Sequence, residues 1–143
     1  MMGRDDNIVL EVTCRAIVPF ILLFALYVVT HGHYSPGGGF QGGAILAATA
    51  MLLRLSLGEE SATGMFPSRL APIVGTIGVS LFGLVGVAAI IGGGNYLDYS
   101  FLPSLAGSAP EMRYLGILVV EMGIALGVFG ILLTIFDNLV GEQ

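Results

Sequence analysis

The sequence predicts an all-α integral membrane protein, a bundle of four transmembrane helices, on three observations. The 143-residue chain is 55% hydrophobic, with a mean hydropathy of +0.92. Only 10% of its residues are charged, against roughly 25% in an average soluble domain. Four apolar stretches come close to or exceed the roughly 20 residues that a helix needs to cross the hydrocarbon core.

The first span covers about residues 8–30. Glu11 and Arg15, four apart, meet on one helix face and predict a structural charge pair that neutralises two charges near the interface. Pro19, one turn later, predicts a kink and a loosened carbonyl at Arg15. The second span, about 40–57, is the shortest and is interrupted by Arg54. Its assignment requires the guanidinium to snorkel to the interface. The third span, about 70–91, carries Gly75, Gly78, Gly83 and Gly86. The fourth, about 112–136, carries Gly116, Gly123, Gly127 and Gly130. Lipid provides no hydrophobic drive for helix association, so small residues bring helices together by close backbone contact. These glycines pack the four helices on each other, and some are expected to face other subunits. The connection from Gly92 to Glu111 holds Pro103, Pro110, Tyr96, Tyr99 and Phe101, a composition that predicts a loop lying at headgroup depth. No soluble domain fits in what remains, so residues 1–143 are read as a single membrane domain.

Orientation follows from the arginines. With four spans, Arg4, Arg15, Arg54 and Arg69 share one side with both termini, against Arg113 opposite. The positive-inside rule therefore places both termini in the cytoplasm. Asp5, Asp6 and Glu11 stand where a signal peptide has its positive region, so no signal peptide is expected. The five basic residues form no cluster, which argues against a nucleic-acid partner. A single cysteine, Cys14, excludes an internal disulfide and a cysteine-based metal site.

Two places carry residues able to do chemistry. Glu121 lies inside the fourth span, about 12 Å past Arg113 at helical rise. A carboxyl at membrane depth is costly, and it marks either an ion or proton route or a structural hydrogen-bond acceptor. The other place is the turn between spans one and two, His31-Gly32-His33-Tyr34-Ser35-Pro36-Gly37-Gly38-Gly39-Phe40-Gln41-Gly42-Gly43. So much conformational freedom at a helix end is worth its cost only where the turn docks tightly. His31 and His33 titrate near physiological pH and suit either a proton relay or loop anchoring. Two residues apart, they do not share a helix face as a zinc pair does. The glycine run lacks the Lys-Ser/Thr of a P-loop, and no G-x-S-x-G or H-E-x-x-H occurs. No catalytic residue, metal or cofactor is expected.

The turn also carries a resemblance. Gly32, His33, Pro36, Gly37, Gly38, Gly39, Phe40, Gly42 and Gly43 form a GH-x-x-PGGGF-x-GG pattern in a short four-span chain. This is similar to the MnhB/MrpB-like subunits of multisubunit Mrp/Mnh-type Na⁺/H⁺ antiporters, with related domains in energy-converting membrane-bound hydrogenases. Gln41 and the doubled His31/His33 lean toward the hydrogenase-like assemblies. The resemblance implies a small subunit of a prokaryotic cell membrane complex that couples Na⁺ and H⁺ movement. Its partners would be other membrane subunits, with Glu121, His31 and His33 as candidates for the ion or proton pathway. One intramembrane acid and no inverted repeat are too little for stand-alone antiport. A self-assembling channel, with Glu121 ringing the pore, and a purely structural scaffold are the other classes the sequence admits.

Overall fold

In a computed structural model of the chain, residues 4–32, 37–57, 66–101 and 109–141 are described. Four helices account for most of them: α1 (Arg4–Thr30), α2 (Gly39–Leu57), α3 (Leu70–Ile91) and α4 (Ala109–Gly141). A short 3₁₀ turn, Tyr99–Phe101, lies between α3 and α4. Each helix is long and apolar enough to cross a membrane. α4 runs beyond the expected span of residues 112–136 at both ends, and its apolar span covers Pro110–Val140.

The helices stand in a row, α1–α2–α4–α3. α1 packs on α2, α2 on α4 and α4 on α3; α1 touches α4 only lightly, and among the described residues α3 contacts neither α1 nor α2. Small residues set each seam. A side chain at Gly42 would run into Val29 and the backbone of α1, and one at Gly43 would come within 2.5 Å of the Ala125 carbonyl oxygen on α4. The α3–α4 seam is glycine on glycine. Gly78 lies against Gly123 and Gly127, and Gly130 against Gly75 and Ala71. Backbones at this distance exchange extensive van der Waals contact, which is what holds helices together in lipid. Gly83 alone among these α3 glycines faces open space, with no atom within 4 Å of where its Cβ would stand.

One expectation about side chains is corrected. Arg54 does not snorkel to the headgroups: it is buried, forms an ion pair with Asp137 of α4, and donates from Nη2 to the Phe66 carbonyl oxygen at 3.2 Å. The up-down topology makes α2 and α4 parallel, so their C-terminal ends bring the two charges together inside protein. The segment after α3 stays at the surface, with Tyr96 and Phe101 about half exposed. It folds back: the Tyr96 ring fills the space over Gly86 and meets Phe82 edge-on at 6.3 Å, while Phe101 covers Gly92 and Gly94.

Candidate functional site: the glycine turn and Glu121

The described ends of the connection between α1 and α2, residues 31–32 and 37–38, are recessed relative to the end of α4. Gly39, the first residue of α2, packs on the backbone carbonyl of Glu121, twelve residues into α4. At 1.5 Å per residue, α4 therefore rises about 18 Å past the turn. α3 rises with it, since Gly78 is level with Gly123 and Gly127 and the helix continues to Ile91. Backbone without helical hydrogen bonds is tolerated at such depth only where protein covers it or it lines a polar cavity. Here α4 covers Gly32, Gly38 and Gly39.

Glycine is required at two points of this contact. Gly38 has φ +131°, a conformation closed to other residues at low cost. Gly39 sits so close to the Glu121 main chain that a methyl group would overlap the carbonyl oxygen. Gly32 and Gly38 border the carboxyl group. A Cβ at Gly32 would stand 2.8 Å from Glu121 Oε2, and one at Gly38 3.3 Å from Oε1. Oε2 is buried and has no hydrogen-bond partner. Two features far apart in sequence thus form one site.

The fold-back after α3 brings a third group. Gly86 is eight residues beyond Gly78, about 12 Å at helical rise, so Tyr96 reaches down toward the level of the turn. Leu97 takes φ 63°, a strained conformation for a branched side chain, and the 3₁₀ turn that follows packs on both α3 and α4. This turn presents Tyr99. Burial and the nearby charge of Glu121 together push the Tyr99 phenol above its ordinary pKa. Asp98 beside it accepts hydrogen bonds from the Ser100 hydroxyl (2.6 Å) and backbone N–H (3.2 Å), which hold its carboxyl below the usual range. Arg113 donates to the Ser100 hydroxyl at 3.3 Å and ties the turn to α4.

His31 ends α1 next to Gly32. Its ring stacks on Tyr27 at 4.3 Å, with Nδ1 3.0 Å from Thr30 Oγ1 and 3.2 Å from the Tyr27 carbonyl oxygen. His33 and Pro36 lie outside the described residues. Gly37 packs on Val28, and Phe40 points outward, 65% exposed. Glu11 and Arg15 are 2.8 Å apart on the outer face of α1, far from Glu121 along the row. Sequence reasoning alone misses Asp137 and Tyr99. The signal for Asp137 is its place near the end of α4, on the same side as Arg54 in any four-span topology. Tyr99 carries no signal beyond being an aromatic in a loop.

A row of four apolar helices, with an acid beside a glycine turn at one level and an Arg54–Asp137 pair at another, defines a polytopic membrane protein. The comparisons specify the class. A family profile described as "Domain related to MnhB subunit of Na+/H+ antiporter" matches residues 9–134, and the chain belongs to this family. It is 28% identical to a Na(+)/H(+) antiporter subunit of Bacillus subtilis (strain 168), covering 98% of this chain and 96% of that protein. It is also 28% identical to the "Putative antiporter subunit mnhB2" of Staphylococcus haemolyticus and 25% identical to that of Staphylococcus aureus (strain Newman), in both cases over 98% of this chain and 99% of the relative.

Proposed function

We propose that this chain is a small, non-catalytic integral-membrane subunit of a multisubunit Mrp-type Na⁺/H⁺ antiporter module in a prokaryotic plasma membrane. It is inactive alone and contributes both to assembly and to the cation or proton pathway. The carrying observation is Glu121: an acid within an apolar span, its Oε2 buried without a partner, bordered by Gly32 and Gly38. Near-full-length similarity to antiporter subunits supports the parent assembly. The row of helices supports the dependence on partners, because it leaves long apolar faces of α1 and α3 open, with Phe20, Leu23, Leu84 and Ile91 largely exposed. The arginine distribution supports cytoplasmic termini. In that orientation Glu121 and the glycine turn lie toward the extracytoplasmic side. Native mass spectrometry after purification through a tag on this chain tests the reading. A heteromeric assembly of membrane subunits is expected; a homo-oligomer would replace the proposal with a self-assembling channel.

A further inference from the structure

α2 stands in the middle of the row, held by α1 at Gly42 and by α4 at Gly39 and Gly43. Its remaining face turns away from both neighbours. Gln41, Ala44 and Ala48 follow one another along that face at i, i+3 and i+7, and Leu55 continues it two turns on. Gln41 and Ala48 are exposed, and Leu55 is 68% exposed. Gly39 lies beside Glu121 and Gly43 beside Ala125, so Gln41 is level with Gly123. At 1.5 Å per residue, that level is about 21 Å from one end of α4 and about 27 Å from the other.

Lipid suits most side chains at this depth, but not a glutamine. The hydroxyls of Thr49, Thr76 and Thr134 each donate to the carbonyl four residues back, at 2.7, 2.8 and 2.7 Å, so their own helices satisfy them. A carboxamide has two N–H donors as well as an acceptor oxygen. Gln41 makes no hydrogen bond among the described residues, and its Oε1 leans back to 3.6 Å from where a Cβ on Gly37 would stand. Even an oxygen turned to the Gly38 N–H, as in a capping box, would leave both amide donors facing outward. Hydrocarbon offers such donors no acceptor, and leaving them unmet is costly. Membrane helices recognise each other through this combination: small residues admit a second backbone, and a polar side chain bonds across. Ala44 and Ala48 provide that approach one and two turns from Gln41. Near-full-length similarity to antiporter subunits favours a different subunit over a second copy as the occupant.

We propose that the Gln41–Ala44–Ala48 face of α2 is a subunit interface, covered by a transmembrane helix of a different subunit that presents an acceptor oxygen to the Gln41 amide. The inference rests on the heteromeric reading above and adds where a partner sits. The test compares Gln41→Leu and Ala48→Leu in the whole complex, scoring assembled complex on blue-native gels against the amount of this subunit in the membrane. Against lipid, both changes would be neutral or favourable, because leucine is the better lipid-facing side chain. Against a helix, Gln41→Leu removes the bond and Ala48→Leu blocks the close approach. Each is expected to lower the assembled fraction about threefold or more, the worth of one hydrogen bond between membrane helices, with the subunit still inserted. An unchanged or higher assembled fraction in either variant would overturn the proposal. A benzophenone amino acid in place of Leu55, photolysed in native membranes, identifies the occupant. A cross-link to a different subunit is expected; cross-links to lipid alone, or to a second copy of this chain, would overturn the proposal. The two readings fail separately. A homo-oligomer in native mass spectrometry removes the heteromeric reading, whereas a heteromeric complex indifferent to both leucine variants removes only this interface.

Discussion

Arg54 and Asp137 close one end of the parallel pair α2/α4 with a buried ion pair, while Gly39 packed on Glu121 closes the other. Between them the two helices are fixed in register, from residue 39 beside 121 to residue 54 beside 137. A charge clamp at one end and a glycine contact at the other hold the acid of α4 at a defined place beside the turn.

Breaking the clamp from one side leaves a buried charge without a partner, at a cost of about 3–5 kcal/mol. Arg54→Met and Asp137→Asn are each expected to lower the yield of assembled complex strongly. The double variant should recover much of it, since no charge is then left orphaned. Blue-native gels of the three variants decide this, and losses that simply add would show that the pair is not coupled.

The glycine contact makes a steric prediction. Gly39→Ala places a methyl group on the Glu121 carbonyl, and Gly38→Val adds a branched side chain at φ +131°. Overpacking of this kind costs about 1–3 kcal/mol. Both variants should lose assembled complex before any change in activity per complex is seen. Gly83→Ala, with open space above it, should be silent in the isolated subunit. An intact complex with normal transport in Gly38→Val would contradict the docking of the turn.

Much of this architecture was legible in the sequence. Hydropathy and length located all four helices, because apolar runs of this length have few alternatives to a membrane span. The glycine turn and Glu121 were each visible as unusual, but not as one site. Their meeting depends on α2 and α4 being parallel neighbours and on where along α4 the turn lands, a helix-packing outcome that no local pattern encodes. Arg54 shows the same gap. Read alone, an arginine near a helix end suggests snorkelling, and only the position of Asp137 on a neighbouring helix makes burial the better arrangement. The contacts of the aromatics of residues 96–101 were illegible for a related reason. Their partners are the bare backbones of Gly86, Gly92 and Gly94, and a bare backbone looks the same in sequence whether a ring covers it or not.

Glu11 and Arg15 sit on an outer face, with side-chain exposures of 42% and 59%. Where that face meets lipid or another subunit, Glu11→Gln or Arg15→Met alone strands a charge, and the double variant strands none. Single changes are expected to impair assembly more than the double change. Equal or additive losses would argue against a functional pair.

Tyr99 reports on the charge at Glu121. Burial is the first cause of its raised pKa and the Glu121 carboxylate the second. A phenol whose pKa is raised in the folded state contributes stability that is present below its unfolded pKa, near 10, and is lost as pH rises through the folded value. Glu121→Gln removes the carboxylate contribution, so the Tyr99 midpoint should fall while staying above the ordinary value. Phenolate absorbance titration, with Tyr99→Phe subtracted to isolate one tyrosine, measures it. An unchanged midpoint would separate the two residues.

The most direct test of the account is transport by Glu121→Gln, measured as Na⁺-dependent ΔpH in inverted vesicles and normalised to assembled complex on the same gel. Glutamine keeps the size and most of the packing against Gly32 and Gly38, and leaves the main-chain contact with Gly39 untouched, so the complex should assemble. Activity should nevertheless fall strongly, because the passing ion loses its titratable or anionic partner, and Glu121→Asp should retain part of it with a shifted pH optimum. Wild-type rates from Glu121→Gln across about pH 7–9 would contradict the account and leave the subunit a scaffold.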